Sequence, residues 1–212
     1  PNRVAVIGAG LVGALTAAML SARGWNVDLF ELRSDPRLTP PSARGRSINL
    51  ALSPRGIEAL RSVSEELANR VQTEGVAMRG RMVHSRPKSI GAATTQEGQD
   101  YGVYEEGEYI ASISRSLLSI YLLDHLDTLG EESVEEKVKS GRGTVTTYFN
   151  HKMISMDMRK SQGVGMVFKV DQVDHEGKKV GEAKQVDFQV DFVIGGDGAY
   201  SKVRAEMMRG TR

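Results

Sequence analysis

The chain has 212 residues, 40% of them hydrophobic and 26% charged, a balance that suits one α/β domain or one domain with part of a second. A formal net charge of +1 gives no basic field for nucleic acid, and the absence of cysteine excludes disulfides and thiolate metal sites. The four histidines (His84, His125, His151 and His175) lack the paired spacing of zinc ligands, and no apolar run approaches the ~20 residues that cross a bilayer.

Residues 3-RVAVIGAG-10 read as a buried strand entering a glycine turn. A helix follows over 11-LVGALTAAMLSARG-24, with Gly24 as its stop signal, and then an alternating strand over 26-NVDLFELR-33. This is a strand–helix–strand crossover unit. The segment 34-SDPRLTPPSARG-45 reads as a loop, 46-RSINLALS-53 as a strand, and 54-PRGIEALRSVSEELANRV-71 as a helix broken near Ser62–Ser64. Ser53-Pro54 supplies its N-cap and first turn. A strand is expected at 80-GRMVHSR-86, a polar glycine-rich link at 87–108, a strand at 109-YIASISR-115 and a helix at 116-SLLSIYLLDHLDTLG-130. Residues 131–144 read as a charged, solvated loop. Strands are expected at 145-VTTYF-149, 164-VGMVFKV-170 and 186-VDFQVDFVIGGDG-198, with Gly177 in a hairpin turn. The first residue is Pro1, and 205-AEMMRGTR-212 stops without a capping element, so the chain reads as truncated.

In 8-GAGLVG-13 the spacing is G-x-G-x-x-G. Gly8 suits a tight turn, Gly10 lets backbone approach a pyrophosphate, and Gly13 lets the helix pack close to the strand. The helix N-terminus then offers N–H groups to phosphate. Glu31 ends the second strand at the distance expected for a ribose-binding acid, which favours an unphosphorylated adenosine ribose, as in NAD or FAD. A second cluster, 195-GGDGAYSKVR-204, places Asp197 at a strand end. A carboxylate there can accept hydrogen bonds from the ribityl polyol of FAD, or it can be an ordinary Asp-Gly turn.

Together these motifs resemble those of the FAD-dependent aromatic monooxygenases of the para-hydroxybenzoate hydroxylase class, which pair an N-terminal G-x-G-x-x-G with a later G-D-G-x-x-S-x-V-R. The stretches 45-GRSINLALSPRGIEAL-60, 78-MRGRMVHS-85, 111-ASISR-115 and 148-YFNHKM-153 are similar to the branch of that class that hydroxylates kynurenine. The resemblance implies a Rossmann-like FAD-binding domain with part of a β-rich substrate segment. Its first nucleotide unit would lie at about 1–60, its substrate-pocket segment at about 78–110 and its second flavin motif at about 186–204. The family's later G-D-A-A-H segment and C-terminal half are absent, so the chain alone is expected to be inactive.

Carried over residue by residue, the family's FAD contacts fall on Gly8, Gly10, Val12, Gly13, Phe30, Glu31, Leu32, Arg33, Ala51, Arg115, Met153 and Asp197. Its substrate-binding arginine falls on Arg81 and its pocket tyrosine on Tyr101, with Tyr104 as a rival because the link 87–108 is longer than usual. From the residues alone, Arg81 suits the carboxylate of an amino-acid substrate, but Arg79 and Arg81 read more readily as solvated edge-strand charges, and a loop tyrosine is more often simple packing. The resemblance further implies L-kynurenine, NADPH and O2 as substrates and 3-hydroxy-L-kynurenine as product. It places the whole eukaryotic protein on the mitochondrial outer membrane through a C-terminal segment. The flavin carries the chemistry, so no catalytic acid or base is assigned. A nicotinamide dehydrogenase and a non-catalytic nucleotide-binding protein of this fold are the alternative classes.

Overall fold

The structure, a computed structural model, describes residues 2–40, 48–85, 94–101, 109–158, 163–174 and 179–210. The chain divides into two compact units, Pro1–Arg46 with Leu118–Arg212 and Ser47–Leu117. Strand β1 (Arg3–Ile7) buries four of its five residues, as a parallel strand covered on both faces must. Helix α1 (Leu11–Ser21) turns Gly13, Ala14, Ala17, Ala18 and Ser21 inward, a stripe of small residues that lets it lie close to the sheet. It ends at Ser21, and the turn that follows closes at Gly24, whose φ of +83° is readily reached by glycine. Strand β2 (Asn26–Phe30) then pairs parallel to β1, which completes the expected crossover unit.

The second unit holds β3 (Asn49–Leu52), α2 (Pro54–Arg61), α3 (Glu65–Glu74), β4 (Val76–Met78), β5 (Gly80–Ser85), β6 (Thr95–Asp100) and β7 (Ile110–Ser114). Antiparallel β3-β7-β4 form one small sheet, and β5-β6 form a separate two-stranded one. The helix break falls where the sequence places it. Ser62 Oγ donates to the Ala59 carbonyl, and Ser64 Oγ accepts from Leu67 N–H to cap α3.

Helix α4 (Arg115–Glu131) leads into the rest of the first unit: α5 (Val134–Ser140), β8 (Val145–Tyr148), β9 (His151–Asp157), β10 (Val164–Val170), β11 (Lys184–Val190), β12 (Phe192–Gly195) and α6 (Lys202–Gly210). The parallel sheet has the order β12-β1-β2-β8, and β11-β10-β9 form an antiparallel sheet. The core between them contains Ala5, Ile7 and Phe30 from the first sheet with Met153, Met166, Phe168 and Val190 from the second. Phe168 stacks on Phe30 at 4.2 Å between ring centroids, and Tyr148 stacks on Phe30 at 4.9 Å. The buried charge of Asp28 is balanced by Arg3, which grips it with two bonds of 2.6 and 3.2 Å.

Strands β4 and β9 were not expected from the sequence, and four further segments differ from that reading. The link 87–108 contains β6, an exposed strand with no apolar alternation that is held through its backbone pairing to β5. The loop 131–144 contains α5, whose start carries a reciprocal cap: Ser133 Oγ accepts from Glu136 N–H while Glu136 Oε2 accepts from Ser133 N–H. The stretch 186–198 is two strands in two sheets, switching at Asp191, whose N–H donates to the Arg3 carbonyl and whose Oδ2 accepts from Arg3 N–H at 2.7 Å. The end of the chain, read as uncapped, forms α6. The hairpin turn expected at Gly177 lies outside the described residues.

Candidate functional site

The parallel register aligns Ile7 with both Phe30 and Gly195, and Phe30 with Tyr148, so Gly8, Glu31 and Gly196 leave the sheet side by side at its C-terminal edge. That edge is where open α/β sheets bind ligands. Gly8 N–H donates to the Phe30 carbonyl at 2.7 Å, and Gly196 N–H donates to the Ile7 carbonyl at 2.8 Å. Gly8 has φ +99°, and a methyl group on it would come within 2.7 Å of the Gly196 carbonyl oxygen. A methyl on Gly13 would lie 1.8 Å from the Gly8 carbonyl oxygen, and one on Gly196 would lie 3.1 Å from Gly13 Cα. The two glycine clusters are therefore one packed object, each forming the wall against which the other turns.

Gly10 differs from its neighbours, because a methyl group there meets nothing within 4 Å. It is the N-cap of α1, with no side-chain cap and no acidic residue in the first turn, and the helical ladder begins at Ala14 N–H to the Gly10 carbonyl. The amides ahead of Ala14 lie outside the helical ladder, and Val12 among them is 70% exposed. Backbone donors and the positive end of a helix dipole suit a pyrophosphate. Glu31 stands across the turn. Its Oε2 accepts from Ala9 N–H at 3.0 Å and its Oε1 from Arg33 N–H at 2.9 Å. A carboxylate has about four acceptor positions, so two remain for ribose hydroxyls.

Asp197 has a task that the sequence reading did not foresee. Its Oδ2 accepts from the backbone N–H groups of Lys202 (2.6 Å) and Val203 (3.1 Å), the first two amides of α6. Ser201 Oγ accepts from the next, Arg204 N–H, at 3.0 Å. Val203 is buried, and Arg204 Nη2 donates back to the Ala199 carbonyl at 2.6 Å. The spacing of Asp, Ser, Val and Arg in 195-GGDGAYSKVR-204 is thus that of a doubly capped helix start. Asp197 Oδ1 is buried without a hydrogen-bond partner, the one open acceptor of this carboxylate. Asp197→Ala is expected to lower stability by about 1–2 kcal/mol in the absence of any nucleotide, as loss of a helix cap does. Urea denaturation of the unliganded chain checks this, and an unchanged midpoint would remove the capping role.

The remaining candidates divide by exposure and by unit. Phe30 and Met153 are core residues, so they can meet a ligand through backbone atoms alone, whereas Leu32 and Arg33 are exposed. In the second unit, Ala51 is exposed on β3 opposite Ser112, and exposed Arg115 starts α4 with its N–H bonded to the Ile48 carbonyl. Arg81 lies on β5 opposite Gln99 and donates to its Oε1 at 3.0 Å. Tyr101 follows β6, its N–H bonded to the Arg79 carbonyl, and its rival Tyr104 lies outside the described residues. Sequence reasoning missed the Ala9 amide and the turn residues Ser34 and Asn150, which hold the Glu31 loop; backbone donors and turn hydrogen bonds leave little signal in a sequence.

A glycine turn between a parallel strand and its helix, faced by an acid at the end of the next strand, defines a dinucleotide-binding α/β domain. The chain belongs to the FAD binding domain family, whose model matches residues 2–210. The donor set of the turn and the paired acid fit FAD, the group for which that family is named. Among curated proteins, the chain is 38% identical over 209 residues to kynurenine 3-monooxygenase of Debaryomyces hansenii, covering 99% of this chain and 39% of that protein. It is 37% identical to kynurenine 3-monooxygenase of Saccharomyces cerevisiae, covering 97% of this chain and 38% of that protein. The chain thus spans well under half the length of these relatives. Among solved structures, it is similar to p-nitrophenol 4-monooxygenase PnpA from Pseudomonas putida, with a TM-score of 0.63, 20% identity, and coverage of 98% of this chain and 44% of that one. Anhydrotetracycline hydroxylase OxyS from Streptomyces rimosus gives the same TM-score at 18% identity, covering 98% and 34%. These two likenesses concern the fold.

Proposed function

We propose that the chain is the nucleotide-binding part of an FAD-dependent hydroxylase that converts L-kynurenine to 3-hydroxy-L-kynurenine with NADPH and O2. The observation that carries this reading is the glycine turn faced by Glu31 in a chain that aligns almost end to end with kynurenine 3-monooxygenases. Bound FAD supplies the redox and oxygen chemistry. The first turn of α1 would hold the pyrophosphate, Glu31 would accept from the adenosine ribose, and Asp197 is the candidate partner of the ribityl chain, reached once its buried Oδ1 is uncovered. Gly10 keeps the approach to the turn clear. Arg81 is the candidate clamp for the substrate carboxylate, since a guanidinium matches it with two parallel hydrogen bonds, and Gln99 is its present partner. Tyr101 is a candidate for the substrate pocket. No protein acid or base is assigned, because the aryl amine of kynurenine already activates the ring carbon beside it.

Among the described residues, no helix is long and apolar enough to cross a membrane.

The test is kynurenine-stimulated NADPH oxidation by the full-length protein, with 3-hydroxykynurenine identified as product. Stoichiometric product is expected. NADPH oxidation indifferent to kynurenine would assign the fold to another flavin oxidoreductase, and a flavin-loaded protein without NADPH oxidation would make it a binding protein.

A further inference from the structure

We propose that Asn150 is a positioning residue for the ribose-binding carboxylate. The turn that it makes between β8 and β9 fixes the main chain of Glu31, and through it the affinity for the adenosine half of the dinucleotide. The proposal rests on the reading of Glu31 as the ribose acceptor.

Asn150 has φ +60°, the left-handed region, and no other non-glycine residue among those described does so. Asparagine tolerates that region better than most residues. Each of its backbone polar groups and its side-chain oxygen is engaged. Its N–H donates to the Arg33 carbonyl at 3.0 Å, its carbonyl accepts from Asp171 N–H at 3.1 Å, and its Oδ1 accepts from Ser34 Oγ at 2.8 Å. The residues on either side of the turn take both main-chain groups of Glu31. Glu31 N–H donates to the Tyr148 carbonyl, and the Glu31 carbonyl accepts from His151 N–H, each at 2.8 Å.

Glu31 is therefore held beyond the end of β2 by a turn, not by a strand. With both peptide planes fixed, the Cα–Cβ direction is fixed too, and from there the carboxylate reaches Ala9 N–H and Arg33 N–H, which orient it. His151 is anchored in turn, its Nδ1 2.6 Å from the Phe149 carbonyl and its ring packed beside Phe30. Met153, the residue of 148-YFNHKM-153 carried over as a cofactor contact, has its side chain in the core. The geometry moves the functional weight of this motif to its turn.

The experiment titrates ADP, which carries the ribose and pyrophosphate without the flavin ring, into the chain and four variants. Asn150→Ala keeps the strained backbone and loses the acceptor, Asn150→Gly relieves the strain and loses the acceptor, and Asn150→Asp keeps both. Asn150→Ala is expected to weaken ADP about tenfold, the cost of placing alanine in the left-handed region. Asn150→Gly should weaken it about threefold, and Asn150→Asp should stay within about twofold. Ser34→Ala should match Asn150→Gly, and these two carry the test if Asn150→Ala does not fold. Each effect should vanish when added to Glu31→Ala, because a residue that acts through Glu31 has nothing left to position. Unchanged ADP affinity in the Asn150 variants, or an equal loss in the Glu31→Ala background, would make Asn150 a residue of folding alone. Failure of the unsubstituted chain to bind ADP would overturn the ribose reading, and the proposal with it.

Discussion

Gly13→Ala is expected to lower the folding stability of the chain by about 3 kcal/mol, the upper end for overpacking a tight core contact. The added methyl would lie 1.8 Å from the Gly8 carbonyl oxygen, a backbone atom that cannot rotate away. Gly8 is itself closed in by Gly196, so the strain passes to the end of β12. Gly10→Ala is the counterpart. Its methyl meets nothing within 4 Å, and the φ of −71° suits any residue. That change should cost less than about 1 kcal/mol of stability, as alanine is a poorer N-cap than glycine. It should nevertheless weaken nucleotide binding, because the methyl occupies the approach to the helix amides. Urea denaturation followed by circular dichroism, paired with ADP titration, separates the two. Equal stability of Gly13→Ala and Gly10→Ala would show that the two glycine clusters do not interlock.

The crossover unit was legible because its signals are local. A four-residue apolar run, three glycines at fixed spacing and a glycine stop specify β1, α1 and β2 with no reference to the rest of the chain. Strand β6 was not legible, because Thr95–Asp100 buries neither face fully and owes its conformation to backbone pairing with β5. Helix α5 carried a readable sign in 133-SVEE-136, the reciprocal cap, which its charged surroundings obscured. The switch at Asp191 was invisible for another reason. Strands β11 and β12 are separated by a single residue, and hydrophobic pattern alone does not say that a strand has changed sheets.

At the candidate site, Gly8, Gly10, Gly13 and Glu31 could be proposed from the sequence because phosphate and ribose recognition constrain residue types at set positions. Asp197 was readable as a strand-end carboxylate but not as a cap, since the helix that it caps was not expected. The role of Asn150 depends on hydrogen bonds between segments more than 110 residues apart in sequence, such as Ser34 with Asn150. Nothing in the local sequence of either segment announces that pairing.

Glu31→Ala tests the central claim, that the turn and its facing acid hold the ribose end of FAD. The substitution removes the carboxylate proposed to accept from the ribose hydroxyls and frees the Ala9 and Arg33 amides that it now orders. Loss of hydrogen bonds to a charged group is worth about 1.5–3 kcal/mol, roughly 10- to 150-fold in affinity. The measurement is calorimetric titration of FAD into the chain and into Glu31→Ala, with circular dichroism confirming that both are folded. FAD binding to the chain, weakened by that factor in Glu31→Ala, is the expected result. Equal FAD affinity in the two folded proteins would contradict the account and leave Glu31 a residue that merely ties Ala9 to Arg33.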